Sequence, residues 1–283
     1  MGSIPISVVI PVRDEEANLA ACLKRLGEFA EVVVVDSGST DRTCEIATEY
    51  GASVVQFAWN GRYPKKRNWT LLNQNLENDW VLFLDADEFI TPSFCSEVRR
   101  AIQTERFDGY WLNYTNHFLG TPLRHGDPQR KLALFRVGKG LYEKIDEAAW
   151  SGLDMEVHEH PLIEGEVGEI AARIDHRDDR GVAKFIARHK DYALWEASRT
   201  LQLRDTGRDA WEKLTERQRK KYSNIDKWWF AWAYFAMSYV AKRGFLDGGA
   251  GFAYAAYKLW YFATIRLLIK ERIAVVRGLS EPN

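Results

Sequence analysis

The chain has 283 residues, 46% of them hydrophobic, enough for one large core or a core with an appended unit, and too apolar for global disorder. The formal net charge is −1, which excludes a general electrostatic grip on nucleic acid, and no nucleic-acid partner is expected. The three cysteines, Cys22, Cys44 and Cys95, lack metal-ligand spacing, and no secretory leader precedes the first apolar run. They read as reduced thiols of a cytoplasmic protein.

The N-terminal part alternates strand and helix patterns. Ile4 to Ile10 is a β-branched apolar run ending at Pro11, which predicts a buried strand. Acids at 14–16 suit a helix start, and Leu19, Leu23 and Leu26 follow at helical spacing. Glu31 to Val35 predicts a second strand, closed by the turn-rich run Asp36-Ser-Gly-Ser-Thr-Asp41. A helix to about Tyr50 ends at Gly51, and Ala52 to Phe57 is a third strand. A helix is expected over 64–76, with Trp69, Leu72 and Leu76 on one face. Trp80 to Leu84 is a fourth strand running into Asp85. Continuous apolar strands separated by helices imply an α/β, Rossmann-like, mainly parallel sheet covered on both faces.

Residues 107–180 are mixed, with strands expected at Tyr110–Tyr114 and Lys131–Arg136; from about Val182 the pattern is helical. The Asn-x-Thr triplets at Asn68 and Asn113 read as chance matches.

In a parallel sheet, ligands bind beyond the carboxyl ends of the strands. Pro11-Val12-Arg13, Asp36 and Asp85 all lie there, so three polar clusters converge on one edge. Asp85-Ala86-Asp87-Glu88 places alternate carboxylates where they can face one hard cation bridging a diphosphate. The alternative is an acidic loop capping the helix opened by Thr91-Pro92. Asp36 is read as a hydrogen-bond acceptor for a nucleoside base or ribose, against an Asx turn or helix cap, a role for which Asp41 is better placed. Lys65, Lys66 and Arg67 start a helix, where the macrodipole disfavours cations unless an anion such as a diphosphate joins them. His158 and Glu159 could pair a metal ligand with a general base, although a lone His-Glu pair reads by itself as a polar surface loop.

Three motifs in this order resemble family 2 glycosyltransferases of the GT-A fold: Ser7-Val-Val-Ile-Pro-Val-Arg-Asp-Glu-Glu16, Asp36-Ser-Gly-Ser-Thr-Asp41 and Leu84-Asp-Ala-Asp-Glu88. Val157-His-Glu159 and Arg243-Gly-Phe-Leu-Asp-Gly248 further resemble bacterial lipopolysaccharide inner-core β-glucosyltransferases. The resemblance implies an inverting, metal-dependent transfer of a hexose from a nucleotide-sugar, UDP-glucose, to a lipid-linked saccharide. In that reading Pro11, Arg13, Glu15, Asp36, Arg67, Asp85 and Ala86 bind the nucleotide-sugar. Asp87 and His158 hold Mg²⁺ or Mn²⁺, and Glu159 is the base, so Asp87 and Glu159 carry the catalysis. Residues 1–200 would form the catalytic domain, with 1–105 binding the donor and 106–200 the acceptor.

A polyprenyl-linked exopolysaccharide intermediate is an alternative acceptor. A nucleotidyltransferase would need a Gly-rich loop after the first strand, where this chain has Pro-Val-Arg-Asp-Glu-Glu. A non-catalytic sugar- or membrane-binding module would have no use for the set Asp36, Asp85, Asp87 and Glu159.

Residues 201–283 are expected to form an aromatic-rich helical region. Its apolar blocks, Trp228–Ala241 and Phe252–Ile269, are too short or too interrupted by charge to span a bilayer. From Lys242 to Asn283 seven basic residues face three acids, a net charge of +4. Aromatic and basic residues together suit an anionic membrane surface, and equally helices packed on the catalytic domain or on a second subunit. The chain is therefore expected to be peripheral at the inner face of the cell membrane. Oligomeric state is not legible.

Overall fold

The computed structural model describes residues 2–147, 149–156, 159–177 and 181–280. They form two compact units, residues 1–120 with 128–179, and residues 121–127 with 180–283.

The first unit opens with β1 (Ile4–Val12), α1 (Glu16–Leu23), β2 (Phe29–Asp36), α2 (Thr43–Glu49), β3 (Ser53–Gln56), α3 (Lys66–Asn73) and β4 (Trp80–Phe83). Then come β5 (Glu88–Phe89), α4 (Pro92–Ala101) and β6 (Gly109–Phe118). After β7 (Thr121–Leu123), which belongs to the second unit, the first resumes with β8 (Arg130–Arg136), β9 (Gly140–Tyr142), β10 (Pro161–Ile163) and β11 (Val167–His176).

The main sheet runs β3-β2-β1-β4-β8-β6-β11-β5. Its first four strands are parallel, as their apolar runs require. Ile6, Val8, Val9 and Ile10 are all fully buried, so both faces of β1 are covered. β8 enters antiparallel to β4 and β6, β11 is parallel to β6, and β5 is antiparallel to β11. The sheet is thus parallel in its first half and mixed in its second. β9 and β10 form a separate antiparallel pair.

Local chemistry explains the helix ends. Gly51 takes φ +76° after α2 and donates to the carbonyl of Thr48, closing the last turn in the left-handed region that glycine tolerates. Thr91 caps α4 by accepting from the backbone N–H of Phe94. The acidic run at 85–88 therefore caps no helix here.

α3 departs from expectation. It stops at Asn73, short of Leu76, and Leu72 is exposed. The side it buries carries Lys66, Asn68 and Thr70 instead. Polar side chains can be buried there because each is hydrogen-bonded or ion-paired.

The second unit contains α5 (Val182–Asp205), α6 (Arg208–Glu212), α7 (Glu216–Tyr222) and α8 (Phe230–Phe235). A π-helical turn (Ala236–Ala241), a 3₁₀ turn (Gly244–Asp247) and α9 (Gly248–Ser280) follow. Ala193 and Ala197 on α5 let α9 approach closely, and Tyr261, Phe262, Ile265 and Ile269 pack there with Ile225 and Ala231. The boundary expected near residue 200 falls inside α5, a continuous helix, so the units divide at 179/180 instead. No helix among the described residues is long and apolar enough to cross a membrane.

Removing the α4 cap gives a direct check of this local reading. Thr91→Ala is expected to lower unfolding stability by about 1 kcal/mol in urea titration, with an unchanged slope.

Candidate active site

The parallel register brings the expected polar clusters to one edge. Asp36 pairs with Val12 at the ends of β2 and β1, and Phe83 pairs with Val9. The backbone N–H of Leu84 still bonds Val9, so Asp85 leaves the sheet beside Pro11.

Around β1 and β2 the loops lace together. Asp14, at φ +52°, accepts from the backbone of Thr40 at 2.7 Å and donates its own N–H to Ser39 Oγ. Glu15 precedes α1 and accepts from Asn18 Nδ2, while Arg13 is exposed. Asp41 accepts from the N–H groups of Glu16 and Thr43, joining the starts of α1 and α2. Asp36 is buried, and its carboxylate accepts from the N–H of Gly38 at 3.0 Å and from Ser39, the Asx-type turn weighed against a ligand role. Burial would raise its pKa, but the bonds from Ser39 outweigh that and hold it below the usual carboxylate range.

α3 begins with buried cations, and the anions that answer them are carboxylates of the chain. Lys65 Nζ lies 2.9 Å from Glu159 Oε1 and also pairs with Glu147. Lys66 Nζ donates to the carbonyl of Val12 at 2.9 Å and faces Asp154 at 3.4 Å. Glu156 accepts from the N–H groups of Arg67 (2.9 Å) and Asn68 (3.0 Å), so a carboxylate occupies the helix N-terminus. Asn68 exchanges hydrogen bonds with the backbone of Tyr142 and pins β9 over the helix. Burial works against the Lys65 charge, but Glu159 and Glu147 prevail and raise its pKa. Lys66 goes the other way, because burial dominates.

Asp85 and Asp87 have different surroundings. Asp85 sits between two cations, Arg67 at 2.7 Å and Lys131 Nζ at 2.7 Å. Lys131 also pairs with the buried Glu88, whose other oxygen takes the N–H of Asp85. Burial alone would raise Asp85, yet Lys131 and Arg67 drive it well below the usual range; burial wins at Glu88, whose pKa is raised. Asp87 is buried and faces His176 Nε2 at 3.4 Å. His176 ends β11 and pairs in register with Glu88 on β5. Its Nδ1 faces Asn116 Oδ1 at 3.0 Å and Gln129 Oε1 at 3.2 Å, two acceptors that place a proton on Nδ1 and leave Nε2 toward Asp87. Burial lowers the His176 pKa, and Asp87 overcomes this and raises it.

The structure therefore joins Arg67, Asp85 and Asp87 into one cluster. Ala86 is buried between the two carboxylates, Pro11 and Asp36 lie on the same sheet edge, and Arg13 is bound into none of these pairs. Glu159 belongs to the Lys65 pair. His158 lies outside the described residues. Sequence reading missed His176 and Lys131 as site residues. Lys131 begins an expected strand, and the Asp-His doublet closing β11 was the available signal for His176.

The glycosyl transferase family 2 model matches residues 7–152, more than half of the chain. The chain is a family 2 glycosyltransferase. An uncharacterized glycosyltransferase of Rickettsia felis is 26% identical over 288 residues, 96% of this transferase and 91% of that protein. LpsC of Rhizobium meliloti, a lipopolysaccharide core biosynthesis glycosyltransferase, is 29% identical over 174 residues, 58% of this chain and 60% of LpsC. Among solved structures, S. aureus TarS 1–349 in complex with UDP-GlcNAc is similar in fold, with TM-score 0.50 and 16% identity over 97% of this chain and 92% of that one. The GT-A expectation for the transferase is met, with its C-terminal helical region.

Two consequences are measurable. Glu156→Ala strands two backbone donors and weakens the pairing of Arg67, so the transferase should lose about 3 kcal/mol in urea unfolding; a loss within the error of the wild type would show that Glu156 does not hold α3. The raised His176 pKa stabilises the fold fully below the unfolded-state value, about pH 6.5, and the contribution fades as pH rises through the folded-state value. The stability gap between the wild type and His176→Asn should thus be widest in mild acid and narrow toward alkaline pH.

Proposed function

We propose that the transferase moves a hexose, glucose from UDP-glucose, onto a lipid-linked saccharide such as the lipopolysaccharide inner core, with inversion and with a divalent metal. The observation that carries this reading is the Asp87–His176 pair on the binding edge of the sheet, beside an Asp85 already neutralised by Arg67 and Lys131. The name of LpsC supports the acceptor class; the donor follows the resemblance of the three motifs.

The donor set fits Mg²⁺ or Mn²⁺. A hard cation takes one or two carboxylates and completes its shell with water and substrate phosphates, and imidazole is acceptable to Mn²⁺. Asp87 and His176 would hold it, with the His158 that the resemblance implies lying outside the described residues. Such an ion stabilises the charge that develops on a leaving diphosphate.

The chain's own residues do the rest. Asp36 and the 11–15 loop hold the nucleoside, with Asp36 kept ionised by its turn. Arg67 and Lys131 fix the Asp85 carboxylate toward the ribose or donor sugar. Glu159 takes the proton of the acceptor hydroxyl as its oxygen bonds to the anomeric carbon. The bond to the β-phosphate oxygen breaks, and its electron pair leaves with the nucleoside diphosphate. The Lys65 ammonium, 2.9 Å from Glu159 Oε1, holds that carboxylate in place.

A donor screen scoring nucleoside diphosphate release, with and without Mn²⁺ or Mg²⁺, tests the reaction class. Asp87→Ala should abolish release while keeping a native circular dichroism spectrum, and full activity there would defeat the proposal. Glu159→Gln should still bind UDP yet turn over at least about a hundredfold more slowly; unchanged turnover would remove Glu159 from the role.

A further inference from the structure

The sequence placed membrane affinity in the basic segment from Lys242 onward. The structure draws attention to an earlier one. Trp228 and Trp229 precede α8, and the exposed positions then recur every four residues through α8 and the π-helical turn. They are Trp232 and Ala233, Ala236 and Met237, Val240 and Ala241, all apolar. Trp228 is 71% exposed, Trp232 62% and Val240 60%. The opposite side is accounted for, since Phe230, Ala231 and Tyr234 pack into the core of the second unit and Ser238 is buried.

The charges carried by this segment itself have one sign, although Lys242 Nζ also lies 3.9 Å from Asp127. Lys227 stands at its start and Lys242-Arg243 at its end, all exposed, and residues 227–246 contain no acid. The acids that bracket the segment are engaged, Asp226 with Arg204 at 2.8 Å and Asp247 with His125 at 2.8 Å. Just past Arg243, Phe245 and Leu246 are exposed as well.

We propose that the outward stripe Trp228–Val240, with Lys227, Lys242 and Arg243 at its ends, is a docking surface for an anionic phospholipid bilayer, lying in the plane of the interface. Indole rings and aliphatic side chains enter the headgroup boundary, and the flanking cations meet lipid phosphates. The stripe is too short to span, since a crossing helix needs about 20 apolar residues. A second copy of the chain fits worse: a two-fold interface through this face would crowd Lys227, Lys242 and Arg243 of both copies into one apolar contact. The inference extends the reading of a lipid-linked acceptor, because a docked transferase meets that acceptor where it resides.

Sedimentation of the full chain with phosphatidylcholine vesicles, with and without phosphatidylglycerol, tests it. Binding should require phosphatidylglycerol and weaken with salt. The double variant Trp228→Ala/Trp232→Ala, surface changes expected to leave the circular dichroism spectrum native, should bind at least about tenfold more weakly. Lys242→Glu/Arg243→Glu should remove the phosphatidylglycerol dependence. Binding indifferent to phosphatidylglycerol, or unchanged in the Trp variant, overturns the proposal, as does a concentration-dependent dimer that Trp232→Ala dissolves without any vesicle binding. UDP affinity, measured by calorimetry on the same preparations, reports on the transferase reading alone, so the two can fail separately.

Discussion

Burying Lys65, Lys66 and Arg67 at the start of one short helix is the constraint around which the first unit is arranged. A cation removed from water needs an anion at hydrogen-bond distance, or it becomes the least stable point in the fold. The chain answers with Glu147, Asp154, Glu156 and Glu159 from a single stretch and with Asp85 from the end of β4. That stretch is thereby fixed against α3, and Asn68 fixes β9 to the same helix. One set of charge pairs thus holds together parts of the unit that are far apart in sequence.

The same arithmetic of charge separates the two aspartates of the Asp-x-Asp motif. Asp85 is matched by Arg67 and Lys131, which leaves it strongly ionised and held in place. Asp87, two residues on, faces the weaker and titratable His176. A carboxylate facing an imidazole can exchange a shared proton for a metal, whereas one clamped between two permanent cations cannot do so cheaply. The turn between β4 and β5 puts these roles two residues apart.

The helical unit follows a different logic. Its core is built from small residues on α5 facing large ones on α9. Three exposed tryptophans, Trp228, Trp229 and Trp232, gather just before and within α8, in a stretch free of acids. Exposed indoles in that number are costly in water, and such a patch marks an interaction surface.

The sequence by itself determined the α/β order, the parallel first half of the sheet, the convergence of Arg13, Asp36 and Asp85 on one edge and the membership of the family. These are local signals: apolar periodicity, turn residues and strand ends repeat within a few positions and need no distant partner. Only the tertiary structure decided which carboxylate faces which cation. Glu156, Lys131 and His176 lie 89, 46 and 89 positions from Arg67, Asp85 and Asp87 respectively, in strands and loops whose pairing no local pattern encodes. It also decided that the anion at the α3 terminus is Glu156, that Leu72 faces water, and that the most exposed tryptophans, Trp228 and Trp232, precede the basic tail. Side-chain electrostatics acts through space, and sequence distance carries almost no information about it until the sheet register is set.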